Sequence, residues 1–283
     1  MMKDRRLSHG GTVVLVCLIA AALAPTVHAE HRTPGTKPWI SIIIDDIGYR
    51  EHEDTQAVEL PGPVAIAIMP HSPNAIRMSR LANDNGKDVL LHLPMQPEES
   101  DKDRFLGPGA LTLNMTRQQL VSTVKDDLHS FPHIIGVNNH MGSLLTQMPD
   151  DMEWLMHYLR GTGKFYIDSV TSHQSVAAGI ARENHIPALS RDVFLDNELN
   201  IDYINRQFDR LIDVARRNGH AIAIGHPHAQ TLQVLANRLS SLKEYGVILV
   251  SLKRMVAAPD HDTRVARIEP PGGGDAAGQG ESN

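Results

Sequence analysis

Cysteine is nearly missing from this chain: one residue in 283, Cys17. It lies in an apolar run near the N-terminus, so the rest of the sequence can form neither disulfides nor thiolate metal sites. Any metal centre there must be built from imidazoles and carboxylates. Beyond residue 29 no run of Lys or Arg occurs, and the formal net charge is −6. That excludes nucleic acid as a partner class. The fingerprints G-x-G-x-x-G and G-x-x-x-x-G-K-S/T are both absent, which removes local support for dinucleotide or nucleotide binding. Long apolar runs are scarce as well. The one near the N-terminus, Thr12 to Ala24, falls short of the ~20 residues of a membrane helix.

That run follows Lys3, Arg5 and Arg6, is broken by Pro25, and precedes the small-residue site Val27-His28-Ala29. Residues 1–29 read as a secretory signal peptide, with an uncleaved anchor as the other reading. Leu15-Val16 before Cys17 lacks the small residue of a lipoprotein site. Removing the leader takes away Lys3, Asp4, Arg5 and Arg6 and moves the net charge to about −8. A disulfide-free exported protein points to a bacterial periplasm; no stable membrane span is expected after cleavage. Residues 30–37 read as a polar linker. The Pro/Gly-rich segment 258–283 reads as a disordered tail.

Between them the chain alternates apolar runs with amphipathic ones. Trp39-Ile40-Ser41-Ile42-Ile43-Ile44 is followed at once by Asp45, Asp46, Ile47 and Gly48. So continuous an apolar run reads as a strand buried on both faces. Adjacent carboxylates at its C-terminal end repel each other, and a metal ion would compensate them; a solvated turn with a helix-capping Asp is the other reading. Further strands are expected at 64–69, 88–93, 134–140, 164–169, 188–195, 221–228 and 247–252. Helices are expected at 72–85, 116–130, 150–159, 175–184, 201–218 and 231–242, with Ser72 and Thr116 as caps. Seven or eight buried strands, nearly all followed by a helix, favour a complete or distorted (β/α) barrel over an open sheet. The strands end in Asp45 and Asp46, His71, His92, His140, Asp168, and His226 with His228. In a parallel barrel these ends converge on one rim, and Asp with two or three His suits a divalent metal such as zinc.

Five motifs run in order over residues 38–256. They are Ile44-Asp45-Asp46-Ile47-Gly48, His92-Leu93-Pro94-Met95-Gln96-Pro97, Asn138-Asn139-His140-Met141-Gly142-Ser143, Tyr166-Ile167-Asp168-Ser169 and Gly225-His226-Pro227-His228. Together they resemble the divergent polysaccharide deacetylase family, a branch of the NodB-like carbohydrate esterase superfamily. The resemblance implies a distorted (β/α) barrel of about seven strands over residues 38–257. It also implies a metal-dependent hydrolase that removes an N-acetyl group from an envelope glycan such as peptidoglycan. It assigns Asp45 as general base, Asp46 as metal ligand with two histidines, and His226 as general acid. His92 is one metal histidine. The superfamily's H-x-x-x-H segment is missing, since Met95 and Gln96 follow His92, and His140 is expected to take the second place. Asn138-Asn139-His140 also stands where the superfamily has an Arg-Pro motif that orients the base. Asp168, Asn139 and His228 are expected in supporting or substrate-binding roles, with a helix cap as the other reading of Asp168. The departures leave a second functional reading: a non-catalytic periplasmic glycan- or protein-binding envelope factor that keeps the fold.

Overall fold

In the computed structural model, which describes residues 37–258, the isoleucine-rich stretch forms strand β1, Trp39–Ile47. The expected signal peptide, nearly all of the linker and nearly all of the tail lie outside the described residues. The other strands are β2 (Ala65–Ile68), β3 (Val89–Met95), β4 (Ile134–Met141), β5 (Phe165–Asp168), β6 (Ala188–Ser190), β7 (Val193–Phe194), β8 (His220–Gly225) and β9 (Ile248–Leu249). The helices are α1 (Glu51–Glu59), α2 (Ala75–Asp84), α3 (Arg117–Leu128), α4 (Pro149–Arg160), α5 (Ala177–Glu183), α6 (Ile201–Asn218), α7 (Ala229–Ser240) and α8 (Leu252–Val256). Every strand pairing is parallel, in the order β6-β5-β4-β3-β2-β1-β8-β7, with β9 on β1. This is the expected distorted (β/α) barrel.

Alternation along each strand divides the core in two. Ile43 of β1 joins Ala65, Ala67, Leu90, Phe165, Ile167, Leu189, Ile222 and Ile224 in an inner cluster. Ile40, Ile42 and Ile44 face the other way, into the larger layer between sheet and helices. Gly136 makes room for the inner cluster: a Cβ there would lie 2.4 Å from the Phe165 ring. Without that gap the ring could not fill the barrel.

The expected sixth strand, 188–195, is two short strands on opposite sheet edges. The Arg191 N–H donates to Asp168 O at 2.9 Å on one edge, and the Asp192 N–H donates to Ile222 O at 2.9 Å on the other. The chain thus steps across the barrel in two residues, and no ladder joins β6 to β7. The expected last strand is also shorter. Ser251 caps α8 by accepting from the Arg254 N–H, so residues 252–256 are helical. Val250, Leu252 and Met255 then close the inner cluster from below. Lys253 N–H bonds to Asp88 Oδ2 at the foot of β3, and Arg254 stacks over Trp39 at the foot of β1. Thr116 caps α3 as expected, in a reciprocal pair with Gln119. Ser72 does not cap α2; its hydroxyl donates to Met69 O, and the helix starts at Ala75.

Candidate active site

Strand alternation alone would send Asp45 into the barrel and Asp46 out of it. Asp46 instead adopts φ +60, at a register shift between Ile44 and Ile47. A left-handed residue at a bulge re-aims its side chain. Both carboxylates therefore face the mouth at the C-terminal ends of the strands. Gly48 completes the turn at φ +129, and a Cβ there would lie 1.9 Å from Ser72 Oγ.

His92 of β3 and His140 of β4 meet Asp46. Asp46 Oδ1 lies 3.2 Å from His92 Nε2 and 2.9 Å from His140 Nδ1, and those two nitrogens are 3.2 Å apart. Tetrahedral zinc with bonds of 2.0–2.1 Å would separate its ligand atoms by roughly 3.3 Å. Each imidazole has its other nitrogen engaged. His92 Nδ1 donates to Asn138 Oδ1 at 3.0 Å, and His140 Nε2 points at Phe105 O at 3.4 Å. Those contacts turn the lone pairs of His92 Nε2 and His140 Nδ1 toward Asp46. Asp46 Oδ1 is buried and receives no well-directed hydrogen bond. One carboxylate oxygen and two imidazole lone pairs, converging in a buried mouth, are a donor set that a divalent cation fits. Burial opposes ionisation of Asp46, but His140 and His92 outweigh it and hold the carboxyl well below its usual range.

Asp45 sits directly beside this set, 3.7 Å from His92 Nε2 and only 2% exposed. Asn138 Nδ2 donates to its Oδ1 at 2.8 Å. Asn138 thus holds Asp45 with one end of its amide and His92 with the other. Burial pushes the Asp45 carboxyl up, and His92, His226 and Asn138 only partly offset it. A carboxylate of raised basicity is a better proton acceptor.

Across the mouth, His226 follows β8. Its Nε2 lies 3.8 Å from Asp46 Oδ2, and its Nδ1 lies 3.0 Å from Asp196 Oδ1. Asp196 also accepts from the His226 N–H and the Thr231 hydroxyl, both at 2.7 Å. Burial disfavours charge on His226, but Asp196 and Asp46 override it and raise its pKa to about 9. The imidazole is therefore a charged proton donor at neutral pH.

Asp45, Asp46, His92, His140 and His226 are thus brought together. His228 stands beside His226, its ring nitrogen grouped with those of His226 and an Asp196 oxygen within 4.8 Å, while Asn139, Asp168 and His71 are directed elsewhere. Asn139 points away from the mouth: its amide donates to Met141 O, and its Oδ1 accepts from the Ser169 N–H and the Tyr166 hydroxyl. Asp168 accepts from the Val170 N–H, the Ser175 hydroxyl and the Ala178 N–H, an arrangement that ties the loop after β5 to the start of α5. His71 turns outward to Asp127 at 2.9 Å. His228 lies beside His226, ring centroids 5.9 Å apart, and burial pushes its pKa down. Asn138 and Asp196 were not among the expected residues. The signal for Asn138 was there: two residues before an inward His140, it must share that face.

Residues 42–256 match the family model described as divergent polysaccharide deacetylase. YibQ of Escherichia coli (strain K12) is 35% identical over 224 residues, covering 79% of this chain and 69% of that protein. A protein of Haemophilus influenzae is 38% identical over 205 residues, covering 72% of each. The crystal structure of protein ATU2773 from Agrobacterium tumefaciens C58 is similar in fold. Its TM-score is 0.75 at 22% identity, with 80% of this chain and 92% of that one covered. Barrel, motifs and matches agree: the chain belongs to the divergent polysaccharide deacetylase family.

Proposed function

We propose that this protein is an exported, metal-dependent hydrolase that removes an N-acetyl group from an envelope glycan. The reading rests on the convergence of Asp46 Oδ1, His92 Nε2 and His140 Nδ1 between a held carboxylate, Asp45, and a charged imidazole, His226. Asp46, His92 and His140 would hold the ion, and zinc is the first choice for a donor set without thiolate. Such an ion supplies Lewis-acid polarisation of the acyl carbonyl and acidifies a water. Asp45 takes the proton of the attacking water, and Asn138 keeps it aimed. His226 hands a proton to the departing amine nitrogen, and Asp196 stabilises its charged form until then.

Export rests on the basic and apolar leader of residues 1–29. No helix among the described residues is long and apolar enough to cross a membrane.

The test is elemental analysis joined to an acetate-release assay on N-acetylglucosamine oligomers and peptidoglycan. The parent protein is expected to carry one divalent ion per chain, and Asp46→Ala and His92→Ala to carry none. Asp45→Asn should keep the ion and lose acetate release. A parent protein free of divalent metal sinks the proposal, as does full activity in Asp45→Asn.

A further inference from the structure

The seam between β6 and β7 opens outward into a cleft of about 1210 Å3 between α5 and α6. Phe194 lines this cleft and also packs on the His226 ring, centroids 5.3 Å apart. The cleft and the mouth therefore share a wall.

Arg191 stands on that wall. Its guanidinium lies over Phe194 at 5.0 Å. Its Nε donates to Ser169 O at 2.6 Å, and its Nη2 donates to Val170 O at 2.8 Å. Val170 adopts φ +48, a strained conformation for a β-branched residue. Its N–H is tied to Asp168 Oδ1 at 2.8 Å, so a strained peptide is held with its carbonyl aimed at Arg191. One edge of the guanidinium is thereby fixed. The other, Nη1, has no hydrogen-bond partner among the described residues.

Nearby carboxylates do not pair with it. The Asp168 oxygens are taken by Val170, Ser175 and Ala178, and Asp192 Oδ2 by the Ile222 N–H. Arg210 also lines the cleft and lies near enough for its charge to act on Arg191. Neither guanidinium is in an ion pair among the described residues. Two unpaired guanidiniums, one of them pre-aimed, form a site for an anion. Asp168, Asp192 and Asp45 lie within electrostatic reach of Arg191, and they disfavour a dianion. A monoanionic carboxylate fits better than a phosphate.

We infer that Arg191, supported by Arg210, makes the seam cleft a subsite for a carboxylate carried on a sugar flanking the one that is deacylated. This narrows the substrate class to acidic glycans and rests on the hydrolase reading above.

The test is calorimetric titration of the zinc-loaded full chain, carrying Asp45→Asn so that oligomers are not consumed. The probe is an N-acetylated tetrasaccharide with lactyl carboxylates on alternate sugars; its reference is the same tetrasaccharide with those carboxylates converted to amides. The acid form is expected to bind about tenfold more tightly, a preference that shrinks in high salt. Arg191→Gln should remove that preference while leaving the amidated form within about twofold, and Arg191→Lys should restore part of it. Arg210→Gln should weaken the acid form about threefold. Equal binding of the two oligomers overturns the inference, as does a loss in Arg191→Gln shared by both. If Arg191→Gln fails to fold, an unchanged preference in Arg210→Gln and in high salt overturns it instead. With the parent protein, whose Asp45 is intact, absent acetate release from both oligomers counts against the hydrolase; acetate release by the parent without an acid preference in the titration counts against the subsite alone.

Discussion

Asp196 and His226 meet at 3.0 Å in the mouth of the barrel, and Asp127 and His71 meet at 2.9 Å on its outer side. Both aspartates have fully buried side chains. Yet Asp196 lies below its usual pKa, because hydrogen bonds and charge from His226 and a bond from Thr231 overcome burial. Asp127 is pushed up to about 8 by burial and by Asp126. Its Oδ2 is buried without a partner. Two carboxyls almost equally close to an imidazole are thus driven in opposite directions. The hydrogen bonds and charge of His226, with the Thr231 hydroxyl, offset burial at Asp196, and nothing comparable does so at Asp127. The well-supplied pair is the one beside Asp46.

The comparison can be broken most sharply at Asp196. Asp196→Asn removes the hydrogen-bonded carboxylate that, with the charges of Asp46 and Asp45, keeps His226 protonated, and burial then pulls the imidazole down. Acetate release is expected to fall about 10²–10⁴-fold at pH 7.5. The alkaline limb of its pH profile should move to lower pH. In the parent protein that limb lies at or below about pH 9, since a bound cation offsets part of the Asp46 charge. An unmoved limb would mean that Asp196 does not set the charge of His226.

Asn138→Ala applies the same logic to a neutral donor and acceptor. It frees the ring orientation of His92 and takes the donor from Asp45. Chelator competition should report metal binding about 10–100-fold weaker.

Asp127→Asn addresses the starved pair through stability. The folded pKa of Asp127, about 8, lies above its unfolded value. The stability held by the protonated carboxyl is full below about pH 3.9 and is lost as pH rises through about 8. The parent protein should therefore lose melting temperature from this group progressively between about pH 4 and pH 8 and little more above that, and Asp127→Asn should lose less over the same range. Acetate release should stay within about threefold of the parent.

The smallest effect is expected from Thr231→Val, which removes a single donor from Asp196 and moves it one step toward the condition of Asp127. Thermal or denaturant unfolding should show a cost of about 0.5–1.5 kcal/mol. The alkaline limb of activity should shift in the same direction as in Asp196→Asn, by less.

The barrel was legible because β1 to β5 and β8 are apolar runs with a polar residue at the C-terminal end, which only a parallel sheet covered by helices buries well. The short strands were harder. Residues 188–195 read as one strand, since nothing in Arg191-Asp192 announces a step across the barrel. Asp196, just past that step, stayed hidden with it. Asp45 and Asp46 were visible as a pair, but that both face the mouth depends on a left-handed residue at Asp46 that strand alternation does not foresee. In Asn138-Asn139 the inward residue is the first, as the period of two from His140 requires. The supporting role expected for Asn139 fell on the residue that faces the other way.

The plug beneath the inner cluster has a consequence for how the chain comes to be. Val250, Leu252 and Met255 close the floor of the barrel, while Asp45, Asp46, His92 and His140 all belong to the first half of the sequence. A chain made or threaded N-terminus first presents every stave before its floor, so the inner cluster lacks its last apolar cover until residue 255 arrives. A protein cut after residue 249 would keep every side chain of the candidate site and still leave the barrel open from below. The last few residues of the domain thus act as a timer on when the first ones stand over a closed core.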